Sequence, residues 1–543
     1  MSNHNNETFV FDGKTKLFTI ILMVIGAVCL GWSYVSDPTE MHHMRFWTNY
    51  LHNSVFFTGI AFTAVLFLAA HALAWGGWVA VFKRIPEAIM NFLWVGALLF
   101  LILGIAIYMN ADGTELLYLW NDQTILNPKD TANFDALTFH KSAFVNPIAY
   151  LLTVVVVLGW TFFAVMFRRI SIAEDSTPYT VTTAKSVPEN VRKNRIYAAA
   201  FLPIGGFSSA YVIWQWVMSV DTHWYSTLFA WYATVSMWVA MLAVTFMIII
   251  FLRGRGLLQK FTDEHMHDIG KYIFGFSVFW TYLWFSQFML IWYANNGEET
   301  QYFFIRFEQF KIIFFANILM NFVGPFFILM MNNSKRTFGT LGFVAGLVFF
   351  GHWLDFYQMI KPGVWYNYEH GLHTAHAGND DAAAPHGENT YHMNETPKAV
   401  LTTYQDDQGA EDHTHGDDHA DAHSETADHD HEGHDHADGA HDNTTTDASH
   451  DHEADHDHGA AAHGDDGHAE HGHGDAHHAE PQFLMGVHFP GVLELGTLLG
   501  FLGLFLFVTF STLSRAPLYP PNDPYIKESE HYDTGIGPER DAH

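Results

Sequence analysis

Ten runs of about 20 mostly apolar residues follow one another along the 543-residue chain, at roughly 17–35, 53–75, 87–109, 147–167, 198–219, 228–251, 272–293, 309–331, 337–359 and 484–512. At a rise of 1.5 Å per residue, such a run matches the hydrocarbon thickness of a bilayer. The predicted fold class is therefore an all-α polytopic membrane protein of ten transmembrane helices. The first run is not read as a signal peptide, because no small-residue cleavage site follows it and it continues into Gly31, Trp32, Ser33 and Tyr34.

Composition alone points elsewhere, because one segment distorts it. Residues 371–480 hold 28 of the 57 acidic residues and a single base, Lys398, which leaves 29 acids against 25 bases in the rest of the chain. The acidic pI thus says nothing about the helical part. The same segment holds 23 of the 37 histidines, and no Phe, Trp or Tyr occurs between Tyr404 and Phe483. So little apolar surface cannot offset chain entropy, and the segment is predicted to be disordered. Its His-x-His and His-Asp-His units, including His413, His415, His429, His431, His434, His436, His456 and His458, offer weak, multiple sites for divalent metals. The alternative is a solvated acidic spacer. The predicted organisation is an N-terminal segment 1–16, helices one to nine within 17–359, a loop 360–482, helix ten at 483–512 and a Pro-rich tail 513–543, extended rather than helical.

Orientation follows from Lys and Arg. With the N-terminus cytoplasmic, the even-numbered connections carry Lys83 and Arg84, the bases from Arg168 to Arg195, Arg253 to Lys260, and Lys335 with Arg336, giving 19 bases inside and 7 outside. This is the positive-inside pattern. It places both termini in the cytoplasm and the His-rich loop outside, in the periplasm.

The single cysteine, Cys29, falls inside the first helix, where it reads as structural. The chain has no C-x-x-C-H haem attachment and no iron–sulfur spacing, so no covalently held redox centre is expected on it. Ionisable groups inside a bilayer call for neutralisation, water or function. Glu308 and Lys311 are spaced to pair on one face of helix eight. His352 and Asp355 share a face one to two turns from the outer end of helix nine, where a carboxylate beside an imidazole can accept and pass a proton. Asn317 and Asn321 precede Gly324-Pro325, a kink that frees backbone carbonyls; they suit either a water file or a bond to a neighbouring helix. Glu494 lies two to three turns into helix ten and must face protein or water. His71, at the cytoplasmic end of helix two between belt tryptophans, is a minor proton-path candidate. Gly496/Gly500 and Gly342/Gly346 are G-x-x-x-G pairs that permit close helix contact.

Two outer connections have an unusual order of residues: Asp221-Thr-His223-Trp224-Tyr225 through Tyr232, and Tyr293 through Glu298-Glu299-Thr-Gln-Tyr302-Phe303, with Arg306 just beyond. These stretches resemble the ten-helix membrane subunits of alternative complex III, a bacterial quinol:cytochrome c oxidoreductase. Those subunits belong to the NrfD/PsrC-like (polysulfide reductase membrane subunit) family. Phe11 to Phe18 and Pro517 to Ser529 are more similar to the second of its two such subunits than to the first, and the resemblance covers all ten helices but not the His-rich insert. It implies two four-helix bundles plus two further helices, packed against a homologous sibling in a bacterial inner membrane. It also implies partners that carry the redox centres: an iron–sulfur, molybdoenzyme-like subunit, multihaem and monohaem cytochromes c, and an acceptor that is soluble or held by a terminal oxidase. Menaquinol would be the reductant, and this chain would supply scaffold with a proton path or quinone pocket rather than catalyse alone. No nucleic-acid partner is expected. Two rival readings stand beside it: a zinc transporter, suggested by the His-rich loop, and a purely structural anchor. The first is disfavoured because the clearest polar pair is predicted near an outer helix end.

Overall fold

Ten helices among the described residues are long and apolar enough to cross a bilayer. The chain is an all-α, multi-pass membrane protein, as its hydropathy predicts. The computed structural model describes residues 7–37, 42–130, 134–176, 188–380 and 484–533. In chain order the spans are α1 (Gly13–Ser36), α2 (Met44–Leu73), α3 (Arg84–Tyr108), α4 (Pro147–Asp175), α5 (Glu189–Val220), α6 (Thr227–Gly254), α7 (Asp263–Ala294), α8 (Lys311–Leu329), α9 (Phe338–Asp380) and α10 (Val492–Leu513).

Two rings of four helices share one seam. In the first ring α2 packs on α3 and α5, and α4 joins the other two. In the second, α6 packs on α7 and α9, and α8 lies against both of these. Helix α2 touches α6 and α9 and so forms the seam. Helices α1 and α10 pair with each other outside the rings, with α10 resting on α2 and α3.

Two of the boundaries that depart from the hydropathy reading do so where polar residues are buried by protein rather than exposed. Helix α2 begins nine residues before the expected 53, since Thr48, Asn49, His52 and Asn53 are all buried. Helix α9 runs on through Asp380 instead of ending at 359, and Lys361 and Asn367 in that stretch are buried. Helix α10 starts at Val492 rather than 484, because Gly486 takes a φ of 92° and residues 485–489 close a tight turn ahead of it.

The α1–α10 crossing is set by glycine. A Cβ on Gly500 would lie 2.3 Å from the Gly26 Cα, and one on Gly496 would lie 2.2 Å from the Cys29 Sγ. The G-x-x-x-G pair of α10 is thus a real close contact, and Cys29 is its packing partner. The pair in α9 is not comparable, since a Cβ on Gly346 would meet nothing within 4 Å.

One end of the assembly, the basic end, gathers most of the Lys and Arg. There Arg84 pairs with Glu87 and Asp175, Lys83 with Glu174 and Asp523, and Arg336 with Glu264. The two tails meet at this end: the Leu518 N–H donates to the Glu7 carbonyl at 2.8 Å, and Thr8 bridges Pro517. The described part of the tail is mostly turns rather than the expected extended chain, with one short helix, Ile526–Glu530, docked by the Ser529 hydroxyl on the Trp78 carbonyl.

Gly500→Ala is expected to destabilise the protein by about 1–3 kcal/mol through overpacking, while Gly346→Ala is neutral. Thermal unfolding of the two variants in one detergent checks this.

Candidate functional site

The longer α9 moves Asp355 from a helix end to the middle of the helix. Between Phe338 and Glu369, the bounds of the apolar span, it lies about 25 Å from one end and about 21 Å from the other at 1.5 Å per residue. The expected placement of His352 and Asp355 one to two turns from the end of helix nine is therefore corrected.

At this depth the Asp355 carboxylate has no exposure and four donors around it. Oδ1 accepts from the Tyr232 hydroxyl and, at 2.8 Å, from Asn317 Nδ2. Oδ2 accepts from the Ser236 hydroxyl and from Trp280 Nε1, both at 2.8 Å. The donors come from α6, α7 and α8, so the other three helices of the second ring converge on one group of α9. Two hydrogen bonds to each oxygen are the complement an ionised carboxylate accepts.

His352, one turn earlier on α9, joins through Ser236. Its Nδ1 lies 2.9 Å from the Ser236 Oγ but 3.9 Å from Asp355. With the serine proton on Asp355, the imidazole must carry its proton on Nδ1 and donate to Oγ, the assignment this network requires. Once Nε2 takes up a proton, the hydroxyl can accept the Nδ1 proton of His352 while passing its own to Asp355, which leaves the imidazole neutral. The imidazole Nε2 is buried and has no hydrogen-bond partner.

Asn317 also donates to Gln358 Oε1 at 2.8 Å, and Asn321 Nδ2 donates to Asn317 Oδ1 at 2.6 Å. Asn321 lies within a π-helical turn, Leu319–Val323, and Asn317 just before it, ahead of Gly324-Pro325. A π-turn rotates the following side chains. Toward the other end, the Tyr232 ring borders a cavity of about 20 Å³ that Gln287, Tyr302, Arg306 and Gln358 also line. That volume suits one water. Polar groups thus run from Asn321 through Asp355 to Tyr232 and this cavity.

Arg306 closes the side of the cluster away from the basic end. Pro362 lacks the N–H that would bond the Gln358 carbonyl, and Arg306 Nε donates to that carbonyl at 3.0 Å while Nη2 donates to the Met359 carbonyl at 3.1 Å. Nη2 also binds Asp221 at 2.8 Å, and the guanidinium stacks on Tyr302, which stacks in turn on Trp224 at 3.8 Å. A Cβ on Gly363 would come within 3.0 Å of the Asp221 carboxylate, so the proline's neighbour must be small. Burial pushes the Asp221 carboxyl above its ordinary range, against the pull of Arg306.

Of the residues singled out in the two outer connections, Asp221, Trp224, Tyr302 and Arg306 thus form one unit. His223 lies apart, with Nε2 2.5 Å from Asp135. Burial works to raise the Asp135 carboxyl, but hydrogen bonds from His223 and Thr138 outweigh it and hold it well below the usual range. Tyr225 and Tyr293 are exposed and Glu299 is half-buried; the Glu298 side chain and the eight histidines of the tract lie outside the described residues.

The expected Glu308–Lys311 pair does not form. The helix Gly297–Glu308 ends before α8 begins at Lys311, and both side chains are exposed. Glu494 sits in the first turn of α10 rather than two to three turns in. It takes a bidentate bond from Arg45 at 2.7 and 2.9 Å, another from Asn49 at 3.1 Å and the Gly491 N–H at 2.9 Å. His71 is bound to the Phe67 carbonyl at the basic end and faces Tyr272 at 3.4 Å, away from the Asp355 cluster.

The sequence reading missed Ser236, Trp280, Gln358 and Arg45. Ser236 falls four residues after Tyr232, a same-face spacing that could have flagged it. Trp280 carries no such signal. No protein-family model and no curated protein matches the chain.

Replacing Arg306 by Met strands a buried carboxylate and two carbonyls, with an expected cost of about 3–5 kcal/mol. Adding Asp221→Asn should recover part of it, as a double-mutant thermal-unfolding cycle would measure. Because the folded-state Asp135 carboxyl is depressed, its stabilisation is full above about pH 4 and declines as pH falls toward its lowered value. Asp135→Asn should flatten that acid dependence.

Proposed function

We propose that this chain is a membrane subunit of a quinol:cytochrome c oxidoreductase of the alternative complex III type, in the position of the subunit called ActF, and that its second four-helix ring conducts protons. The observation that carries the proton path is the Asp355 carboxylate: mid-span, fully buried, held by four neutral donors and linked through Ser236 to a buried imidazole. Among the described residues no Lys or Arg bonds this carboxylate. Its neighbours are groups that can donate or accept in turn. The two-ring arrangement with an outer helix pair agrees with what the resemblance implies, and the placement in a complex rests on that resemblance.

The close packing around His352 and Asp355 favours proton transfer over a quinone head group at these residues, since the adjoining cavity holds one water. The cluster offers little to a transported metal. Both Asp355 oxygens already accept two hydrogen bonds each, which leaves Nε2 of His352 and the amide oxygen of Asn321 as the open ligand atoms among the described groups there. In the proposed setting, both termini and the basic end face the cytoplasm of a bacterial inner membrane. Menaquinol oxidation takes place in the assembled complex, with the haems and iron–sulfur clusters on partner subunits.

Purification through a tag on this chain should recover multihaem c and iron–sulfur subunits with quinol-dependent cytochrome c reduction; recovery alone and without haem would overturn the complex reading. In the purified complex, Asp355→Asn should leave haem content unchanged and slow proton translocation in proteoliposomes by at least about 10²-fold, the scale of a lost acid–base group. Undiminished proton movement in an intact variant complex would refute the path.

A further inference from the structure

We infer that His42, His43, Asp112 and Glu115 form a binding site for a divalent metal of the zinc class at the end opposite the basic one. The residues come from two connections, the one between α1 and α2 and the one after α3. One ligand atom from each of His42, Asp112 and Glu115 lies within 4.8 Å of the others. His42 Nδ1 is 2.9 Å from Asp112 Oδ1, and His43 Nε2 is 3.8 Å from Asp112 Oδ2. Donor atoms at about 2.0–2.2 Å from one tetrahedral zinc are about 3.3 Å apart, a separation these two distances bracket.

The orientation of His43 carries the inference. Its Nδ1 is 2.8 Å from the Tyr34 carbonyl, an acceptor only, so this nitrogen holds the proton and Nε2 presents a lone pair. That lone pair faces a carboxylate oxygen, itself an acceptor, and two acceptors so placed are complementary to a cation between them. An outer backbone carbonyl fixing the tautomer of a ligating imidazole is the usual support of a metal site. The ring is further held flat on Tyr34, with centroids 3.7 Å apart and planes 9° apart.

The carboxylate side is equally fixed. Trp47 Nε1 donates to the Asp112 carbonyl at 2.9 Å, and the Gly113 N–H donates to Glu115 Oε1 at 3.1 Å. Gly113 has a φ of 87°, and a Cβ there would lie 1.8 Å from the His42 carbonyl, so the two connections can meet only at a glycine. Asp112 is 59% and His42 51% exposed, which gives an ion direct access from solvent. His42, Asp112 and Glu115 supply three ligand atoms within reach of one ion, and His43, 3.8 Å from Asp112, is the fourth once it moves in on binding, which gives the four-ligand form of a structural ion. Its occupation would staple α1 and α2 to the end of α3.

The test uses the full chain in detergent, stripped with a chelator and titrated with Zn²⁺ against a chromophoric competitor. One tight equivalent is expected above the weak multiple binding of the His-rich tract. Asp112→Asn and His43→Gln should each weaken it by more than about tenfold, since loss of even an outer partner costs that much. Substituting Asn for His429, His431, His434 and His436 should leave it unchanged. Zinc should also raise the unfolding temperature of the wild-type chain and not of the two site variants, whose metal-free unfolding temperatures report whether they remain folded. If both variants keep the tight equivalent, or if the tract substitutions remove it instead, the inference is wrong.

Discussion

A carboxylate in the middle of a membrane protein must be held in place by something, and in this chain no cation does it. Asp355 is held by hydroxyl, indole and amide donors from three different helices. Neutral donors satisfy the oxygens without supplying a counter-charge. The contrast with Glu494 is instructive. That side chain, also buried, is locked by the bidentate Arg45, and breaking such a pair would leave an uncompensated charge. One acid is held by neutral donors and the other by an ion pair.

The local irregularities of the second ring serve this arrangement. The π-turn in α8 brings Asn317 and Asn321 onto α9, and Pro362 in α9 releases a carbonyl that Arg306 takes up. Backbone irregularity at membrane depth is tolerated where neighbouring groups satisfy what is freed. Arg306 does so for two carbonyls while also neutralising Asp221.

The number and order of the spans could be read directly from hydropathy, because lipid demands apolar length. The polar interior was only partly legible. His352, Asp355, Asn317 and Asn321 stood out as exceptions within apolar runs, and the structure brings them together. Glu308 and Lys311 had the right spacing, but spacing assumes an unbroken helix, and the helix breaks between them. Ser236 and Trp280 are ordinary residues for a membrane helix, and only tertiary packing turns them toward Asp355. Lys361 and Asn367 were assigned to a loop because hydropathy treats a polar residue as a boundary, whereas here the protein itself buries them.

The crossing of α1 and α10 has a consequence for the order in which the molecule can be completed. Its two partners are separated by almost the whole sequence, including the His-rich insert, and they meet at glycines that allow no substitute geometry. Contacts of such sequence separation form late, after more local pairings. During synthesis both rings can close while α1 waits at the periphery for a helix not yet made. The junction of the tails, Leu518 on Glu7, then becomes a molecular signature of a finished chain.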